Sequence, residues 1–161
     1  MATPDFFDID APAADSARTA GRPDLQPGGL FALGDRVTWV AGLVLALSSF
    51  MGWYSGSGVG IKLAVIGWNT GTLGKLVFFI GLAVLLIVIL AEFGFQLPPS
   101  IPESLVVIAL GILAAVFVII RLISIPDAVL PADGRGIGIW IALIAAFGVI
   151  AGGLLRAVEE L

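Results

Sequence analysis

The sequence predicts an all-α integral membrane protein: a four-helix transmembrane bundle with a short strand or hairpin in its first loop and a disordered acidic tail in front. Three observations carry that class. Residues 37–61, 76–91, 104–120 and 136–155 each contain no charged side chain. Only 12% of the 161 residues are charged and 59% are hydrophobic, against roughly 25% charged in soluble domains, and mean hydropathy is +1.10. The segments between the apolar stretches are short and rich in Gly, Pro and charge. A helix rises about 1.5 Å per residue and a bilayer core is about 30 Å thick, so each stretch with its neutral flanks approaches the length of one crossing.

Residues 1–36 read as the tail. Asp5, Asp8, Asp10, Asp15, Asp24 and Asp35 outnumber Arg18, Arg22 and Arg36. The Asp, Ala, Pro and Gly around them cannot bury enough apolar area to offset ordering. A cleavable leader starts with a basic region followed at once by its apolar core, so the first span is expected to be retained. Phe6 and Phe7 stand among the acids, either as scattered aromatics or as a docking peptide.

Span 1 is expected over about 37–54. Trp39 near its start and Trp53 and Tyr54 near its end suit the two headgroup levels, where amphipathic rings collect. Gly42, Ala46 and Ser49 form a stripe of small residues that admits a neighbouring helix. Between spans 1 and 2, Ser55–Gly58 makes a flexible turn. Val59, Ile61, Leu63 and Val65 then alternate with Gly60, Lys62, Ala64 and Ile66, the period of a strand. This segment, with Trp53, Tyr54 and Trp68 as its aromatic surface, predicts a strand or hairpin lying on the membrane; a re-entrant apolar segment is the alternative. Asn69 or Thr70 is placed to cap span 2, over about 72–95.

Pro98 and Pro99 end that span and force a tight turn. Ser100-Ile101-Pro102-Glu103 has the spacing of a capping box, opening span 3 over about 102–124. The loop 126–135 is polar and turn-rich. Span 4, about 136–158, carries Gly138, Ala142 and Ala145 on one face, with Gly148 and Gly152 as a GxxxG pair. Such faces drive helix packing in membranes, and packing within one bundle is expected over dimerisation.

Glu92 and Arg121 alone interrupt the apolar runs. Spans 2 and 3 are antiparallel, so the two charges fall near opposite ends and cannot pair across about 30 Å. Each is a candidate charged anchor, either snorkelling to the headgroups or, for Arg121, paired with Asp127 or Asp133 on the same side. Intramembrane charges are otherwise functional by default.

Cys and His are both absent. Their absence removes disulfides, thiol nucleophiles, imidazole bases and His- or Cys-ligated metals together, so no catalytic, cofactor or metal site is expected. Gly71–Lys75 lacks the earlier Gly and the following Ser or Thr of a phosphate loop. Gly134–Gly138 follows a loop rather than a strand, which weakens it as a dinucleotide fingerprint. No basic stripe suggests nucleic acid.

Ser48–Ser55 closing span 1, Gly67-Trp68-Asn69, Arg121-Leu122-Ile123, Gly136–Trp140 and Gly152-Gly153 together resemble an uncharacterised family of small four-transmembrane proteins common in actinobacteria. A Pro-Trp-Tyr-Ser-like signature follows their first span; Gly52 stands here where that signature has Pro. The resemblance covers about residues 37–160 and implies no activity. The plan is also similar to that of claudin-type tetraspans, with a Trp-bearing first loop containing strands and a shorter second loop, although the paired cysteines of claudin loops are missing. The function expected is non-enzymatic: a structural or accessory protein acting through lateral helix contacts with itself or another membrane protein, within the lipid bilayer of the cell membrane. The alternative is a small transport or channel component, for which Thr38, Ser48, Ser49 and Ser104 are the main polar lining. Lys and Arg number four on each side, and counted strictly near the spans they lean mildly toward external termini, so the rule does not decide the orientation; cytoplasmic termini are expected from the acidic tail and the claudin-like plan.

Overall fold

A computed structural model describes residues 28–58, 61–95, 98, 100–124 and 132–161. The disorder expected for most of the tail, the docking role of Phe6 and Phe7, and the pairing role of Asp127 all fall outside the described residues. Four helices are seen among those described: α1 (Gly28–Ser48), α2 (Thr72–Glu92), α3 (Glu103–Ile123) and α4 (Ile137–Glu160). Three short strands accompany them, β1 (Gly52–Gly58), β2 (Ile61–Ile66) and β3 (Ala132–Arg135), with a 3-10 turn over Gly67–Thr70. α1 packs against α2 and α4, and α3 packs against the same two, so the helices form a closed ring of neighbours.

By length and composition α2, α3 and α4 are each able to cross a membrane. At about 1.5 Å per residue, the 21 residues of α2 and of α3 span about 31 Å. α1 is also 21 residues long and fills the fourth position of the ring. It starts at Gly28, inside the segment that the sequence assigned to the tail, and stops at Ser48, before Trp53 and Tyr54.

Local chemistry explains where the helices end. After Ser48 the chain tightens through Ser49 N–H to Ala46 O, Phe50 N–H to Leu47 O and Met51 N–H to Ser48 O, then leaves as β1. α2 closes on Gly94 at φ +80, with Phe95 N–H donating to Leu90 O and Gly94 N–H to Ala91 O, which satisfies two final carbonyls. Two expected caps are corrected. Gly71, not Asn69 or Thr70, precedes α2, and the Thr70 hydroxyl bonds Gly67 O instead. Pro102, not Ser100, precedes α3, its carbonyl accepting from Leu105 and Val106, because its fixed φ already suits the entry to a helix.

Small residues set the helix spacing. A β-carbon at Gly81 would lie 2.7 Å from Ala46 N and 3.0 Å from Gly42 O, so α1 and α2 touch backbone to backbone there. Between the contacts the interior is apolar: Leu45, Val77, Val84, Val107, Ala114, Val118 and Val149 are all buried.

The strand element is present and larger than a hairpin. β1 is the middle strand of an antiparallel sheet ordered β2-β1-β3, and β3 comes from the second loop, where the sequence suggested only turns. Tyr54 lies opposite Val65 on one side and opposite Arg135 on the other.

Candidate functional site

Trp53 and Tyr54 are not surface residues. Trp53 is 0% exposed and Tyr54 3%, which corrects their placement on the surface of the first loop. The cause is a bulge. β1 pairs Gly52 with Ile66 and then Tyr54 with Val65, so Trp53 is the extra residue opposite a single step of β2. Side chains in a regular strand alternate between faces, whereas a bulge re-aims one of them. Two consecutive aromatics are thereby directed into the bundle end.

Each ring donates to a backbone carbonyl at a helix end. Trp53 Nε1 donates to Ser48 O at 2.8 Å, and its indole lies so close to Gly67 that a β-carbon there would sit 2.6 Å from the ring. Tyr54 Oη donates to Arg121 O at 2.6 Å, and Arg135 Nε donates to Leu122 O at 2.7 Å. The last carbonyls of a helix have no partner within it, so β1 and β3 both fasten the end of α3. Gly136 N–H donates to Trp53 O at 2.7 Å and ties the start of α4 to the same point. Burial pushes the Tyr54 phenol above its ordinary value, and Arg121 and Arg135 pull it back only in part.

Arg121 extends from α3 toward the entry of α2: a β-carbon at Gly71 would lie 2.8 Å from Nη2. Its Nε is buried with no hydrogen-bond partner among the described residues. Glu92 ends α2, about 31 Å along that helix from its start, and is exposed. Arg121 and Glu92 therefore lie at opposite ends of the bundle. The side chain of Asp133, like all of Asp127, lies outside the described residues.

Trp68 is half-buried on the outer side of the sheet end. Its ring stacks on Phe50 at 5.7 Å, Phe78 meets both edge-on at 5.3 and 5.4 Å, and Lys75 Nζ stands 5.6 Å from the Trp68 centroid. Phe79 adds a further ring 5.5 Å from Phe78, and Phe50 and Phe79 are exposed. Such a band of rings with a cation suits the headgroup level of a bilayer.

The opposite end is closed by charge. Arg156 of α4 pairs with Asp35 of α1; Arg156 is 7% exposed, and its Nη1 has no partner among the described residues. Ser104 Oγ donates to Glu160 Oε2 at 2.6 Å, joining the start of α3 to the end of α4. Sequence reasoning missed both contacts. The available signal was spacing: Gly152, Arg156 and Glu160 recur every four residues on α4, so the charges continue one helical stripe.

The remaining candidates lie on helix faces. Gly42 and Ala46 face α2 at Val84 and Gly81, while Gly148 and Gly152 face α1 at Ala41 and Thr38. Gly138 sits under Met51 and Gly52, and Ala142 is buried. Gly148 also belongs to an apolar groove of about 480 Å³ between α1 and α4, with Val40, Ala41, Ile144 and Ala145. A second groove of about 950 Å³ runs between α1 and α2 toward Glu92.

Comparison with family models, with curated proteins and with solved structures finds no match.

Proposed function

We propose that all four helices cross the cell membrane and that the chain is a non-enzymatic structural or accessory protein acting by lateral contact. The carrying observation is the α1–α4 groove. Its floor is made of small residues, Ala41, Ala145 and Gly148, at mid-helix, and its walls are aliphatic. A groove of that form admits the ridge of another helix at close range, where dispersion is the main gain available in lipid. Exposed Phe79, Leu82, Leu86, Ile112, Val116, Ile144 and Phe147 surround the bundle with apolar surface, which suits lipid or partner helices.

The rival transport reading needs a polar path, and the interior gives it little support. Thr38 and Ser48 bond carbonyls of their own helix, at Gly34 and Leu45. Between the two ends the axis is occupied by the buried Val, Ala and Leu side chains named above.

A second copy of the chain is the simplest occupant of the groove. Cys is absent from the sequence, so single cysteines report cleanly. Mild oxidation of Ile144→Cys in native membranes should give a species of doubled mass, while Leu113→Cys on the exposed face of α3 should not. Crosslinking that is equal at both positions, or absent from Ile144→Cys, would remove the groove as the contact face.

A further inference from the structure

The α1–α2 groove has a different chemistry from its neighbour. Its wall along α1 is Asp35, Arg36, Trp39 and Val40, and its wall along α2 includes Val88 and Glu92. The deep part is apolar, and the charges stand at one end. Asp35 at the same end is already engaged by Arg156. Arg36 and Glu92 are both exposed and form no ion pair with each other or with any other described residue. A cation and an anion thus face one opening from two helices, too far apart to neutralise each other directly.

An occupant that satisfies both must carry an anion for Arg36, a cation for Glu92 and a hydrocarbon tail for the apolar floor. Guanidinium suits a phosphate, which it binds through paired N–H donors. A carboxylate accepts hydrogen bonds, so it favours a primary ammonium over a quaternary one, which has no N–H to give. Trp39 is 43% exposed beside Arg36, and an indole with one wet edge marks the depth at which headgroups lie. From this charge complementarity we infer that the groove is a binding site for an aminophospholipid, with the phosphate of a phosphoethanolamine headgroup on Arg36, its ammonium on Glu92 and an acyl chain along Val40 and Val88. The inference rests on the membrane reading given above.

The test uses the full chain in phosphatidylcholine nanodiscs doped with brominated phosphatidylethanolamine, phosphatidylglycerol or phosphatidylcholine. Bromine quenches nearby indoles, and comparison with Trp39→Phe and Trp140→Phe isolates the share of each ring. Brominated phosphatidylethanolamine should quench Trp39 at a mole fraction about tenfold lower than the other two lipids, and Arg36→Gln or Glu92→Gln should each remove that preference. Trp140, exposed on α4 away from this groove, should be quenched alike by all three. Equal quenching of Trp39 by all three lipids, with Trp140 also quenched, would leave the chain in the bilayer but refute the site. A preference for phosphatidylglycerol would refute it too, since Glu92 has no part in holding an anion. Quenching of neither ring by any lipid would refute the membrane reading itself.

Discussion

Gly152→Ala is the sharpest single perturbation of the α1–α4 contact. A β-carbon at Gly152 would lie 2.3 Å from Thr38 Oγ1, 2.9 Å from Thr38 N and 3.1 Å from Thr38 Cα. The hydroxyl cannot simply swing aside, because it donates to Gly34 O at 2.7 Å, and the other two atoms are backbone. Ordinary contact begins near 3.4 Å, so α1 and α4 must separate by about 0.5 Å to clear the backbone N and by about 1 Å to clear the hydroxyl. Overpacking of this kind costs about 1–3 kcal/mol, and the better helix propensity of Ala returns up to about 1 kcal/mol. The net loss is about 1–2 kcal/mol, which at this chain length lowers Tm by roughly 5 °C. Gly148 provides the control four residues earlier on the same stripe: a β-carbon there meets only the Ala41 methyl, at 3.0 Å. Gly148→Ala should melt within about 1 °C of wild type. Thermal unfolding in mild detergent, followed by near-ultraviolet circular dichroism, reads both. The reasoning fails if Gly152→Ala melts with wild type, or if Gly148→Ala is the more damaging change.

Three further outcomes follow from the two ends of the bundle. The raised Tyr54 pKa makes protonated phenol the favoured folded form: unfolded Tyr loses its proton near pH 10 while the folded one keeps it, so stability is full below pH 10 and falls as pH rises toward the folded value. Tyr54→Phe should cost about 1 kcal/mol at neutral pH for the lost bond to Arg121 O and remove this alkaline loss, as pH-dependent melting would record. Asp35→Asn strands the buried Arg156; with Asp35 more than a third exposed, the cost is held to about 1–2 kcal/mol, and adding Arg156→Met should recover most of it in the same assay. The expectation of cytoplasmic termini predicts that Ser57→Cys on intact cells reacts with an impermeant thiol reagent and that Ala13→Cys does not; the reverse pattern inverts the topology.

The helices were legible because a long uncharged apolar run is a simple signal, and four such runs stand in the sequence. What it concealed came from contacts distant in sequence. Trp53 and Tyr54 have the composition of an interfacial belt, and only the bulge opposite β2 turns both inward. β3 has no strand pattern of its own; Ala132–Arg135 is extended because β1 offers it an edge to pair with. The start of α1 was assigned to the tail because Asp35 and Arg36 look like solvent charges, yet Asp35 is fastened to Arg156, 121 positions away. The small-residue stripes gave the faces of α1 and α4 but not the difference between Gly148 and Gly152, which depends on which atom of α1 stands opposite.

These contacts divide the molecule into a fixed part and an adaptable one. α4 is held along its whole length: Gly138 under β1, Gly152 on α1, Gly153 on α3, Arg156 to Asp35 and Glu160 to Ser104. A change on its inward stripe therefore acts on the whole bundle. α2 is pinned to α1 near its middle, where Gly81 meets Ala46, and it presents Phe79, Leu82 and Leu86 outward. Apolar exchange at Leu82 or Leu86, which are about half exposed, should be nearly neutral for folding, while it changes the outer surface of α2. The two grooves flank α1 on either side, one apolar and facing α4, the other charged at its mouth and facing α2. α1 is thus the helix whose outer face meets both proposed occupants, and substitutions at Val40, which lines both grooves, should disturb the two together.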